Sequence, residues 1–453
     1  MNRTVPRATS DEIRLYRSTL YSLLRSTAEV KIRTLEETHA GMNSLMHPGA
    51  RDFAPDISAF IYSVMRLPDC ISNVHVVVLG QNSGVFQRYG FPNIKDWQPV
   101  SARARRRRCF FDGKDTLGCY IASRSDIEDV VPALTAYQIE WNKMHFLFRQ
   151  WPKQVGLSEI DQNPMAWQLL SETLQVPADD LERLRTIWQG DFLPTLENIR
   201  DKELSISVRL LSGSLAQYMR ATHEWFENIK TFCPALTERP VYFVSSNTHS
   251  IPNILTGFAQ QHESELIDFI QQSEDANLKA EWETIQTGHV RASRENFFYY
   301  VLKKYQSTPR GAALIDAQVE DEKRHGILRI ASEHAFDVEA QVIELRQLDP
   351  KLIDRRLVNG IDLSFLAGSD ALLLNIDYPL GLAAFNILST MSIHTDLRGV
   401  YTMGKSASLN AARGDVIVPN VCQDEHSHNT YFFENCFTAT DIAPFLKYGT
   451  VLD

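Results

Sequence analysis

A chain of 453 residues holds two or three domains at about 150 residues each, and its 44% hydrophobic and 23% charged residues, with 21 glycines and 19 prolines, exclude fibrous and low-complexity readings. The net charge of −10, from 46 basic and 56 acidic residues, supplies no global attraction for nucleic acid or an anionic membrane, so any anion site has to be built locally. Six cysteines, Cys70, Cys109, Cys119, Cys233, Cys422 and Cys436, form no CxxC pair, which argues against a zinc site or a disulfide framework and for reduced thiols in a cytoplasm. The opening residues lack an uninterrupted apolar stretch and no run of about eighteen apolar residues occurs, so neither a signal peptide nor a membrane span is expected.

In chain order, Ile13, Leu15, Leu20, Leu23, Leu24 and Val30 recur at near-helical spacing behind the capping oxygens of Ser10, Asp11 and Glu12, predicting one long helix over 10–38. A second helix over 56–67 leads into 74–80, a β-branched run ending in glycine, as a buried parallel strand would. A polar turn over 81–84 follows, then Arg103, Arg105, Arg106, Arg107 and Arg108 ahead of Cys109-Phe110-Phe111, a strand over 118–122 and a helix over 125–151. Helical patterns dominate 157–230 until Arg239-Pro240 breaks them. Residues 241–247 read as a strand opening into a polar loop and a helix over 254–271. Helices fill much of 264–305, and a charged stretch over 316–324 links them to 326–330. The remainder alternates, with strands at 371–376, 400–403 and 415–419 and a helix at 382–391. This order predicts an α/β fold: a mainly parallel sheet flanked by helices, with a large helical section. The expected divisions are 1–155, 156–236 and 237–453, with strands from both ends contributing to one large α/β body.

In open α/β sheets ligands gather at the carboxyl ends of strands, and four loops there are unusually polar. The first, Ser245-Ser246-Asn247-Thr248-His249-Ser250, offers hydroxyls, an amide and an imidazole, suited to a phosphate or sugar with His249 moving a proton; helix capping is the alternative use. The second, Asp377-Tyr378-Pro379-Leu380-Gly381, and the third, Gly404-Lys405-Ser406-Ala407-Ser408-Leu409-Asn410, combine small residues with the positive charge of Lys405. The third lacks the GxxxxGK spacing, so a Walker-type nucleotide site is rejected. The fourth runs from Arg413 to Asn429 and gathers Asp424, Glu425, His426 and His428, residue types that suit acid/base work or a metal. Its spacing matches no zinc motif, so neither a metal nor any other cofactor is assigned.

The ordered segments Leu372-Leu373-Leu374-Asn375-Ile376-Asp377 with Gly381, Ala383 to Leu388, Gly399 to Leu409 and Gly414-Asp415-Val416-Ile417-Val418-Pro419 resemble the purine nucleoside phosphorylase and nucleosidase superfamily. The resemblance covers about fifty residues. It implies a nucleoside-phosphorylase-like or Rossmann-like three-layer fold, with Gly404, Ser406 and Ala407 against nucleobase and ribose and Asp377 to Gly381 near phosphate or ribose. Asp337-Val338-Glu339-Ala340 resembles the family's ribose-binding acidic segment, which would make Glu339 a sugar ligand. Here that segment precedes the Gly-Asp-Val strand instead of following it, which leaves either a rearranged domain or shared sheet geometry alone.

The arginine run admits a solvated face, a subunit contact, or an arginine pair such as Arg107 and Arg108 holding a phosphate together with Arg413. Over 137–145, Glu140 and Lys143 stand one turn apart and Tyr137, Trp141 and Met144 share a face, as in a packed amphipathic helix with an ion pair. The leading expectation is a cytoplasmic, homo-oligomeric enzyme that breaks or transfers the N-glycosidic bond of a nucleoside, nucleotide or phosphorylated glycoside, with no nucleic-acid or membrane partner. Its candidate catalytic residues are His249, Glu339, Asp424 and His426, and its candidate substrate ligands are Ser246, Asn247, Asp377, Gly381, Gly404, Lys405, Ser406 and Asn410. The alternative is a non-catalytic nucleotide or sugar-phosphate binding or regulatory protein. A third reading has the helical middle section dock a partner.

Overall fold

Residues 10–453 are described, in a computed structural model, apart from 27–28, 45, 106, 153, 161–162, 212–214, 274, 288–292, 333–337, 359–361, 378, 380, 405–413, 425–428, 447–448 and 453. Among them the chain divides into two compact units, one reaching to Thr222 and the other taking His223–Ser332 and the residues from Val338 on.

In the first unit the opening helix α1 (Ser10–Ser26) is shorter than its apolar pattern predicts, because Val30 leaves that register to pair, as β1 (Val30–Lys31), with Val208. Next come α2 (Glu36–Gly41) and α3 (Ile57–Val64), whose start is fixed by the Asp56 carboxylate accepting from the Ala59 N–H at 3.0 Å. The β-branched run forms β2 (Val76–Gly80), and Asn82 caps the short α4 (Ser83–Arg88). β3 (Gln98–Val100), β4 (Cys109–Phe111) and β5 (Thr116–Tyr120) lead to α5 (Arg124–Phe148), which begins where Asp126 accepts from the N–H groups of Ala122 and Ser123. On α5, Tyr137, Trp141 and Met144 are buried, and the Trp141 indole donates to the Lys202 carbonyl at 2.7 Å. Burying a side chain of that size contributes roughly 1.5–3 kcal/mol. α6 (Pro164–Leu174), α7 (Ala178–Trp188) and α8 (Phe192–Asp201) share this core through Leu170, Leu184 and Leu196. β6 (Ser207–Leu210), inside the stretch expected to be helical, completes a sheet of order β1-β6-β2-β5-β4-β3. β6, β2 and β5 run parallel, and the remaining pairings are antiparallel. The helix α9 (Leu215–Phe232) contributes residues to both units.

The second unit opens with β7 (Pro240–Ser246). The helix expected over 254–271 is broken into α10 (Ser250–Thr256), α11 (Phe258–Gln261) and α12 (Glu263–Gln272). The first break is Gly257, at φ +66°, where a Cβ would lie 2.9 Å from the Leu352 carbonyl oxygen. α13 (Ala276–Gln286) and α14 (Arg294–Gln306) pack with α12 through Trp282, Phe298 and Tyr305. The charged stretch expected to be a link is itself a helix, α15 (Ala313–Arg324). β8 (Ile327–Ile330), β9 (Ala340–Glu344), the single turns α16 (Arg355–Val358) and α17 (Phe365–Gly368), β10 (Leu372–Asp377), α18 (Gly381–His394) and β11 (Asp396–Thr402) follow. They form a sheet of order β11-β7-β10-β9-β8, with β7 parallel to β10 and β11 and with β9 antiparallel to β10 and β8. Near the end lie β12 (Val416–Ile417), β13 (Val421–Asp424), β14 (Asn429–Phe432), α19 (Ala439–Ile442) and β15 (Val451–Leu452). β12 pairs with β15 and β13 with β14, so the strand expected at 415–419 does not join the main sheet.

The fold is α/β, and both sheets are mixed rather than mainly parallel. The strands at 74–80 and 241–247, expected in one body, stand in separate sheets because each finds its parallel neighbours within its own unit.

Candidate functional site

β7 and β10 are parallel neighbours whose chains depart in opposite directions. From β7 the chain leads to β8 and β9 on one side of the strand order, whereas from β10 it leads through α18 to β11 on the other. This is a topological switch point, the place in an α/β sheet where the loops beyond the strand ends part to leave a crevice. The second unit brings Ser246 at the end of β7, with Asn247 and His249 beyond it, and Asp377 at the end of β10, with Gly381 beyond it, to this edge. Antiparallel β9 starts at the same edge, its Ala340 opposite Ile376, so Glu339 lies beside Asp377. Gly404 follows β11, also parallel, and the Met403 N–H donates to the Ser245 carbonyl at 2.8 Å.

A buried amide network underlies this edge. The Ser246 hydroxyl donates to Asn375 Oδ1 at 3.0 Å, and Asn375 Nδ2 donates to the Asn247 carbonyl at 2.9 Å and to Gln341 Oε1 at 2.8 Å. Gln341 Nε2 in turn donates to the Thr248 carbonyl at 2.7 Å. The side chains of Asn375 and Gln341, both on central strands, thereby fix the backbone of the β7 loop, and their burial requires these partners. Sequence reasoning missed both residues. A visible signal was Asn375 itself, an amide interrupting Leu372-Leu373-Leu374 and Ile376 where a buried strand has no use for one without a partner.

Glu339 is part-buried and receives Arg329 NH1 at 2.9 Å, while Arg329 also pairs with the fully buried Glu322. Burial pushes the Glu339 carboxyl above the usual carboxylate range, the negative charges of Asp377 and Glu322 add to that, and Arg329 opposes it. The result is a carboxyl held in place by Arg329, with its proton equilibrium moved towards neutrality. Asn247 serves its own backbone: its Oδ1 accepts from the N–H groups of His249 at 3.1 Å and Ser250 at 2.6 Å, capping α10. Gly381 opens α18 at φ +57°.

The other candidates fall elsewhere. Lys405, Ser406, Asn410, Arg413 and His426 lie outside the described residues, as does the side chain of Asp424, which ends β13. Arg107 and Arg108 belong to the first unit. There the part-buried Arg107 donates to Asp126 at 3.2 Å and Asp129 at 3.0 Å on α5, and Arg105 pairs with Asp129 at 2.8 Å. Arg103 faces Asp69 at 3.4 Å. Carboxylates of the chain itself thus compensate these arginines of the run. Among the described residues no group of three or more His, Cys, Asp or Glu side chains is placed to hold a metal ion. No helix among them is long and apolar enough to cross a membrane.

Fold and site together define an α/β protein of two units, the second with a topological switch point flanked by polar residues. The chain belongs to a family of unknown function (DUF6909), which it matches over residues 32–453. No curated protein and no solved structure matches it.

Proposed function

We propose that the crevice between β7 and β10 binds a nucleoside, nucleotide or related phosphorylated glycoside, and that the protein cleaves or transfers its N-glycosidic bond. The observation that carries this reading is the placement of Glu339 beside Asp377 at the switch point, next to the Ser246–Asn247 loop. The ordered likeness of residues 372–419 to nucleoside phosphorylases and nucleosidases supports the same chemistry. Breaking that bond builds positive charge on the sugar and negative charge on the departing base. Ionised Glu339 and Asp377 would hold the sugar hydroxyls and favour the oxocarbenium-like sugar. Lys405 and Arg413, from the segment after β11, would grip phosphate, with Gly404, Ser406 and Asn410 against base or ribose. His249, or His426 with Asp424, would deliver the proton to the base.

Base release from a panel of nucleosides and nucleotides, each with and without inorganic phosphate, tests the proposal. Turnover of at least one substrate is expected, with Glu339→Gln lowering kcat/KM by about 100-fold or more. Because Glu339 acts ionised and its carboxyl is shifted upward, activity should fall on acidification at a pH above the ordinary carboxylate range, and this limb should vanish in Glu339→Gln. No base liberated from any substrate sinks the enzyme reading. The existing bonds of Glu339 to Arg329 and of Asn375 to Gln341 favour a second reading, a preformed binding surface without turnover. Ligand-induced thermal stabilisation without base release would select it.

A further inference from the structure

In the first unit, β4 and β5 place Cys109 directly opposite Cys119. The Tyr120 N–H donates to the Arg108 carbonyl at 2.9 Å, and the Asp112 N–H to the Thr116 carbonyl at 3.1 Å, so alternate pairs on this ladder are hydrogen-bonded. Cys109 and Cys119 therefore form a non-hydrogen-bonded pair, the antiparallel site with the closest Cα atoms, about 4.5 Å apart. A disulfide spans that separation without moving the backbone. The two thiols already share a hydrogen bond, Sγ to Sγ 3.4 Å.

Two further observations separate this pair from ordinary small core residues. Both cysteines line a small cavity of about 10 Å³, lined also by Arg66, Arg107, Val77 and Leu134, with room for about one water-sized molecule. Arg107 is nine-tenths buried beside them, and its Nε has no hydrogen-bond partner among the described residues. The pair is also electrostatically asymmetric. The shared hydrogen bond lowers the Cys109 thiol, with Arg107 adding to the effect, and together with burial it raises the Cys119 thiol. One thiol is biased towards the nucleophilic thiolate, while its neighbour keeps the proton.

We propose that Cys109 and Cys119 are a redox-active dithiol, oxidised by hydrogen peroxide to a cross-strand disulfide and restored by a thiol reductant. In the first step the Cys109 thiolate attacks one peroxide oxygen; the S–O bond forms, the O–O bond breaks, and the second oxygen leaves as hydroxide, which is protonated to water. In the second step the Cys119 thiol attacks the sulfenic sulfur; the S–S bond forms, the S–O bond breaks, and the departing oxygen takes the Cys119 proton and leaves as water. Two thiols and one peroxide thus become one disulfide and two waters. The cavity, with room for about one water-sized molecule, leaves no space for a bulky disulfide such as oxidised glutathione. This site is independent of the β7–β10 crevice.

The test treats the folded, reduced full chain with a few equivalents of hydrogen peroxide, then alkylates under denaturing conditions and maps peptides by mass spectrometry. The expected product is a Cys109–Cys119 linked peptide that dithiothreitol reverses and that oxidised glutathione does not generate. Cys119→Ser should halt at a Cys109 sulfenic acid that dimedone traps, and Cys109→Ser should yield neither product. The proposal is overturned if Cys109 and Cys119 both remain alkylatable under conditions that oxidise the exposed Cys422 and Cys436. The wild-type measurement decides the matter even where a variant fails to fold.

Discussion

Three side chains in the first unit, His39, His47 and Glu140, form a buried hydrogen-bonded relay. The Glu140 carboxyl meets His47 Nε2 at 2.7 Å, Lys143 Nζ at 2.7 Å and the Asp56 N–H at 2.6 Å. Nδ1 of the same His47 ring lies 3.0 Å from His39 Nε2 in a second hydrogen bond. His39 Nδ1 has no partner among the described residues. Burial, with His47 adding to it, accordingly pushes His39 down to about 3. The unfolded chain takes up this proton near the ordinary histidine value of about 6.5, so between that pH and about 3 the unfolded state binds more protons than the folded one. Stability contributed by neutral His39 is complete above about 6.5 and is lost on acidification, at about 1.4 kcal/mol per pH unit. Denaturant titrations at several pH values should show this slope, and His39→Gln should flatten it; an unchanged slope in the variant would remove His39 as the cause.

Between residue and fold, the elements that could be read in the sequence are those whose pattern is satisfied locally. The run at 74–80 and the helix over 125–151 carry their own β-branched or helical signal, and both exist with ends shifted by a few residues. β6 and β9 do not. Ser207-Val208-Arg209-Leu210 is a strand because β2 and β1 flank it, and Ala340 to Glu344 is a strand because β10 and β8 do. Within β9, Gln341 disguises a buried strand, since its amide is compensated by Asn375, thirty-four residues away in sequence. The polar loops marked the strand ends in the same way, whereas the supporting amides lay inside the strands. Gly257 illustrates an element boundary set by long-range contact, because its left-handed φ and its approach to Leu352 leave no room for a Cβ. Gly257→Ala should therefore cost about 1–2 kcal/mol in chemical denaturation, through the strained φ and the displaced Leu352 carbonyl. A neutral substitution would mean that the α10–α11 break tolerates other geometries.

At the scale of the molecule, each unit owns a sheet and apolar cores: Trp141, Phe60 and Leu196 lie in a core of the first, Trp282, Phe298 and Leu302 in one of the second. Cooperativity in unfolding follows shared cores, so a chain built this way is expected to melt in two calorimetric steps, with a measured enthalpy exceeding the van't Hoff value for a single transition. Substitutions assign the steps. Glu140→Ala removes the acceptor for His47, Lys143 and the Asp56 N–H, leaves them buried or part-buried without it, and should lower one step by about 3 kcal/mol or more. Gly257→Ala should lower the other step and leave the first in place, because no residue it touches belongs to the first unit. Differential scanning calorimetry of the wild type and both variants measures all three quantities. A single transition with matching enthalpies, moved equally by both substitutions, would show that the two cores unfold as one. The same traces locate ligands: a nucleoside held at the β7–β10 crevice should raise only the step that Gly257→Ala lowers, since binding to a folded unit stabilises that unit by mass action.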